Sequence, residues 1–148
     1  MTTILHDVRA RCPAARVWAL LADLEAVGRY NPTVRAASLV GGPRSGVGAR
    51  RACELAPSGR VVERVTRWEE GRALGLEVAE SDWPIRYMRW VTHVEADGDG
   101  ARITQELEYE VKFGLLGRAL DALVMRRKLT ATLDSVLASL VRHAEGEP

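Results

Sequence analysis

The end of the chain constrains what the rest can fold into. Leu116, Leu120, Leu123, Arg127, Thr130, Leu133, Leu137, Leu140 and Ala144 recur at spacings of three and four, which marks one face of an α-helix. Run without a break from Leu116 to Ala144, such a helix is about 43 Å long at ~1.5 Å per residue. A chain of 148 residues folds to a radius of gyration near ~15 Å. The helix therefore crosses the whole molecule, and its apolar stripe needs a long surface to lie against.

Most of what precedes it reads as β-structure. Thr3 to Ala10 is a first strand. Pro13 opens a helical stretch with Val17, Leu20, Leu21 and Leu24 at helical spacing, and proline suits a first turn because its missing donor is not needed there. Gly28 and Asn31-Pro32 stop that stretch, so two short helices precede residue 33. Strands then follow over residues 34–40, 48–55, 60–68, 74–78 and 85–95, separated by turns such as Gly41-Gly42-Pro43 and Pro57-Ser58-Gly59. Asp97-Gly98-Asp99-Gly100 marks a tight hairpin. The last strand places Ile103, Leu107, Tyr109 and Val111 on one face and Thr104, Glu106, Glu108 and Glu110 on the other. Only Gln105 interrupts its apolar face. One face buried and one wet is the pattern of an antiparallel sheet covered on one side. The strand after Pro84 lacks clean alternation, and its inward face stays open between Tyr87, Arg89, Val91, His93 and Met88, Trp90, Thr92, Val94.

These elements define an α+β fold: a seven-stranded curved antiparallel sheet wrapped around a long C-terminal helix, with two short N-terminal helices. The expected domain organisation is one domain over residues 1–148. A sheet curled around a rod, with two short helices at one end, leaves a space between helix and sheet.

Composition narrows the function. Basic and acidic residues number 21 and 20, for a net charge of +1. Nucleic-acid binding needs a strong basic excess, so no nucleic-acid partner is expected. No apolar run approaches the ~20 residues of a membrane span, and stable membrane insertion is not expected. The N-terminal residues lack the basic and apolar regions of a signal peptide, and Cys12 and Cys53 make no disulfide framework. A cytoplasmic location is the expectation. Gly46-Val47-Gly48 has Arg51 where a dinucleotide fingerprint has its third glycine, and no helix follows. His6, His93 and His143 lie on distant elements without metal-ligand spacing. No metal and no cofactor are expected.

Local motifs carry a family resemblance. Residues 13–32, with Pro13, Val17-Trp18 and the Tyr30-Asn31-Pro32 stop, Gly46-Val47-Gly48-Ala49-Arg50-Arg51, Val62 to Trp68 followed by Arg72-Ala73-Leu74, and Gly98 to Thr104 together resemble the START-like superfamily, also called SRPBCC. The fold this implies is the helix-grip, and the nearest branch is the polyketide cyclase/dehydrase and lipid-transport type. The function implied is binding of a small hydrophobic molecule, a lipid or polyketide, by a carrier or sensor. A polyketide aromatase/cyclase or dehydratase-like enzyme and a protein-interaction or quinone-handling module are the alternatives.

Glu63 is the most informative charged residue. It sits mid-strand between Val61 and Val65, and on a concave face it points under the helix. Arg51, Cys53 and Leu55 share a face of the preceding strand, and Arg35 lies on the strand before that. A buried carboxylate needs a partner, which Arg51 or Arg35 supplies. The opposite preference of Val62 and Trp68 sets this parity in question unless a bulge intervenes. Tyr30, Tyr87 and Tyr109 combine an apolar body with a hydroxyl suited to positioning a ligand oxygen. Val65, Leu74, Leu76, Leu107 and Leu133 are candidate apolar walls. Because the family's ligand lies against the last helix, Arg127 is placed at the cavity or its mouth. Glu63, Tyr30 and Arg51 are the catalytic candidates of the enzyme reading.

Overall fold

The structure is a computed structural model, and it describes residues 2–81, 85–112, 114–120 and 124–146. In chain order its elements are β1 (Thr2–Ala10), α1 (Ala14–Ala22), a 3-10 turn (Leu24–Ala26), α2 (Val27–Tyr30), β2 (Val34–Leu39), β3 (Arg50–Leu55), β4 (Arg60–Glu69), β5 (Ala73–Ser81), β6 (Ile85–Asp97), β7 (Gly100–Val111), α3 (Gly114–Leu120) and α4 (Arg126–Ala144). The seven strands form one antiparallel sheet in the order β1-β7-β6-β5-β4-β3-β2. From β2 to β7 the chain is a simple meander, and β1 closes on β7. The helices between β1 and β2 cross from one sheet edge to the other. α4 packs against β1, α1 and α2 on the concave side. This is the helix-grip arrangement.

Local chemistry explains the joints. Asp97 pairs with Gly100 across a two-residue turn, and Gly98 takes a φ of +61° there, a conformation that costs glycine nothing. At the end of α2, the Asn31 carboxamide oxygen accepts from the backbone N–H and the hydroxyl of Thr33 at 2.9 and 2.7 Å. That Asx turn redirects the chain into β2.

The pairing of β4 with β5 shifts twice, between Val62 and Glu63 and between Val65 and Arg67. Each shift is a bulge that resets which side chains face inward. Gly75 lies opposite Arg67 at the second one. A Cβ on Gly75 would stand 2.9 Å from the Arg67 Cβ, so glycine is what allows the close approach. The bulge answers the parity conflict at Trp68: Glu63 and Trp68 both face the helices. The Trp68 ring meets Trp18 of α1 edge to face at 5.4 Å. Both indole N–H groups donate to the Glu70 carboxylate, at 3.1 Å from Trp18 and 2.9 Å from Trp68.

The long C-terminal helix is described in two stretches, and whether it runs unbroken between them falls on residues 121–123, outside the described residues. Helix is present at Gly114–Leu120 and again at Arg126–Ala144, and Leu123 of the expected stripe lies outside the described residues. α4 alone spans about 28 Å at ~1.5 Å per residue. Leu133, Leu137, Leu140 and Ala144 are buried as the spacing predicts, whereas Leu116 is 76% exposed. Arg127 is exposed too, while Leu129 turns inward against the core. The reason is phase. Two successive steps of three carry Arg127 about 120° from Leu133, whereas Leu129, four residues back, is only about 40° away.

Candidate functional site

Between the sheet and α4 lies a cavity of about 160 Å³. Leu74, Leu76, Trp90 and Leu107 from β5, β6 and β7 form its floor, and Leu129, Leu133, Val136, Leu137 and Leu140 of α4 its roof. Leu21, Val27 and Tyr30 close one side. The walls are thus mainly branched aliphatic side chains, as the low aromatic content of 5% requires.

A buried ion pair sits at one end. Arg51 and Glu63 are direct partners in the β3–β4 register. The Arg51 Nε donates to Glu63 Oε1 at 2.7 Å, and its Nη1 donates to the Leu24 carbonyl at 3.1 Å. Arg51 is only 4% exposed and Glu63 only 9%. Burial alone disfavours the Arg51 charge, but Glu63, helped by Tyr30 and Cys53, outweighs it and holds the guanidinium pKa above its ordinary value. Arg51 therefore remains charged. It also ties the 3-10 turn to the sheet, which is a structural service independent of any ligand.

Its neighbours are held protonated. Burial, with the Glu63 carboxylate adding to it, pushes the Cys53 thiol up to about 12. Burial raises the Tyr30 phenol as well, opposed by Arg51 and reinforced by Glu63. Tyr30 lines the cavity. Neither group is an anionic nucleophile at neutral pH.

The structure gathers part of the predicted site. Tyr30, Arg51, Leu55, Glu63, Leu74, Leu76, Leu107 and Leu133 all line the cavity. Cys53, Val65 and Tyr109 are fully buried in the packed core instead. Arg35 is exposed on β2 and does not reach Glu63. Tyr87 lies outside the cavity, on the opposite face of β6, where the Arg89 guanidinium sits 5.2 Å over its ring. Arg127 lies on the exposed side of α4. For β6, a register shift between Ile85 and Tyr87 turns Met88, Trp90 and Thr92 inward.

Two polar residues at the far end escaped sequence reasoning as site residues. Thr92 and Gln105 are partners across β6 and β7, and both line the cavity. Gln105 Oε1 is enclosed and has no hydrogen-bond partner among the described residues. An unsatisfied buried acceptor costs about 1–3 kcal/mol. The signal was present in the sequence: Gln105 is the single polar interruption in the apolar face of β7.

A curved sheet gripping a C-terminal helix over a lined hollow defines a protein of the helix-grip class with an internal pocket. Residues 1–145 match the family model described as polyketide cyclase / dehydrase and lipid transport, and the chain belongs to that family. Among solved structures it is similar to TTHA0849 from Thermus thermophilus, with a TM-score of 0.80 and 20% identity over 97% of both chains. A solution structure from Thermobifida fusca gives 0.77 and 24% identity over 97% of this chain and 93% of that one. Ara h 8.0201 gives 0.78 and 12% identity over 99% of both. At such identities the likeness shows the fold alone. No curated protein matches the sequence. Among the described residues no helix is long and apolar enough to cross a membrane, and no group of three or more His, Cys, Asp or Glu could hold a metal ion.

Proposed function

We propose that the protein is a carrier or sensor that binds one compact, largely apolar molecule non-covalently in the cavity under α4. The observation that carries this reading is the hollow itself, about 160 Å³ of mostly aliphatic lining inside an otherwise packed core. A cavity of ~150 Å³ lined by aliphatic and aromatic side chains stays dry and takes up benzene, so the size suits a one- or two-ring molecule better than a long acyl chain. The family's description as lipid transport and polyketide handling supports a hydrophobic ligand.

The expected affinity follows from area. An aromatic ring system buries about 150–250 Å². At ~25 cal/mol per Å² this contributes about 4–6 kcal/mol, from which association costs are subtracted. Before those costs, about 4–6 kcal/mol corresponds to about 1 mM to about 40 μM, so dissociation constants no tighter than tens of micromolar and reaching the millimolar range are expected for a simple aromatic probe.

Polyketide cyclisation or dehydration is the less supported alternative. Among the described lining residues Glu63 is the only carboxylate, and its Oε1 is held in the buried pair by Arg51 Nε at 2.7 Å. Proton transfer by that carboxylate would have to work against a pair that also ties the fold together.

The test is calorimetric titration with 2-naphthol, in wild type and in Leu133→Trp, which fills the cavity from α4. Saturable binding in wild type, lost in a folded Leu133→Trp, supports the reading. Equal binding to both proteins places the probe elsewhere and refutes it.

A further inference from the structure

The ion pair, which the sequence marks as the polar anchor for a ligand, is already engaged: Arg51 Nε donates to Glu63 Oε1 and its Nη1 to the Leu24 carbonyl. A buried acceptor without a partner among the described residues lies elsewhere, at the β6/β7 end. There Gln105 Oε1 is enclosed without a partner among the described residues, beside Thr92, which is 4% exposed and directly opposite it in the register. On the other flank His6 of β1 pairs with Gln105 in register. Its imidazole is engaged instead by Asp134 of α4, Nε2 to Oδ1 at 3.0 Å.

At ~4.8 Å per strand, Glu63 on β4 and Thr92 on β6 stand two spacings apart and Arg51 on β3 and Gln105 on β7 four, about 10 and 19 Å along the sheet. A buried acceptor without a partner gains most from a ligand donor, and that acceptor is at the Thr92–Gln105 end. Opposed side chains on adjacent strands stand ~4.5–5.5 Å apart at Cβ, close enough to address a single ligand atom. A carboxamide oxygen accepts, and a threonine hydroxyl both donates and accepts. A hydroxyl matches that pair, since it can donate to Gln105 and accept from Thr92. A ketone or ether oxygen cannot donate, and a carboxylate would face an acceptor.

We infer that Gln105 and Thr92 form a hydroxyl-recognition subsite, so that the ligand is a compact apolar alcohol or phenol whose O–H donates to Gln105 Oε1. This rests on the cavity reading above and assigns the chemistry that selects among apolar molecules.

The test compares 2-naphthol with 2-methylnaphthalene, which replaces the hydroxyl by a methyl group of similar size. Both are titrated against wild type, Gln105→Leu and Gln105→Met, with Thr92→Val as a partner variant. The readout is the ratio of the two dissociation constants within each protein, which cancels general changes in cavity size. The preference for 2-naphthol is expected to fall about tenfold in both Gln105 variants, the value of one hydrogen bond, and by a smaller factor in Thr92→Val. If both compounds bind and the ratio is unchanged in the Gln105 variants, the subsite is overturned while the cavity reading stands. If neither compound binds wild type, the cavity reading falls and the subsite with it.

Discussion

Arg51 and Glu63 show how one buried pair can look like a site and act as a strut. Removing one partner of such a pair leaves an uncompensated buried charge, which costs about 3–5 kcal/mol. Glu63→Leu is therefore expected to lose about that much stability in urea unfolding, and the double variant Arg51→Met/Glu63→Leu to recover most of it. A double variant as weak as the sum of the singles would deny the coupling. Cys53 and Tyr30 make the molecule alkali-sensitive. Cys53 rises from an ordinary 9.0 to about 12 on folding, and Tyr30 also rises from its ordinary 10.0. Both hold their protons more tightly folded than unfolded, so their contribution is complete below about pH 9 and declines as pH rises toward about 12. Urea stability measured from about pH 8 to about pH 11 is expected to fall, with a shallower decline in Cys53→Ala. Cys12, also raised by burial, and Cys53 are both enclosed, and neither is expected to react with a bulky disulfide reagent until the protein unfolds.

At the scale of elements, the bulges between β4 and β5 set the geometry. Without the shift at Val65/Arg67, strict alternation sends Trp68 to the outer face. With it, Trp68 joins Trp18 and Glu70 in a clasp that holds α1 against the sheet. Gly75 makes the shift possible. Gly75→Val is expected to destabilise by about 1–3 kcal/mol, as overpacking does, and to red-shift tryptophan emission as the clasp opens. Unchanged emission would separate Gly75 from the clasp. Glu70→Ala tests the carboxylate alone, with about 1 kcal/mol expected. α4 is governed by helical phase. Leu137 is fully buried beside the cavity, and Leu137→Ala is expected to cost about 2–5 kcal/mol while enlarging the space for ligand.

Across the whole molecule, two opposite sheet edges are bridged by helices at one end and by α4 along the concave face. The core is shared between these contacts, and the volume they leave is the pocket. Filling that volume is expected to trade binding for stability, because apolar walls that gain a neighbour recover dispersion contacts. A folded Leu133→Trp that melts higher than wild type yet binds no 2-naphthol is the expected outcome. A variant that melts lower and still binds would show a pocket able to relocate.

Strand positions, the hairpin at Gly98, the helix-grip order and the inward stripe from Leu133 to Ala144 were legible in the sequence because alternation and helical spacing are local properties of side chains. So was Glu63 as a buried carboxylate needing Arg51 or Arg35, though only the pairing of β3 with β4 chose Arg51. What spacing alone could not decide were the offsets. A bulge adds one residue to one strand and depends on what stands opposite, so the inward faces of β4 and β6 were set only by pairing with β5 and β7. Arg127 left the stripe because short steps accumulate angle along a helix. Gln105 was visible as an interruption, but that its oxygen lacks a partner depends on Thr92, His6 and Asp134, which come from three other elements and meet it only when the sheet closes over α4.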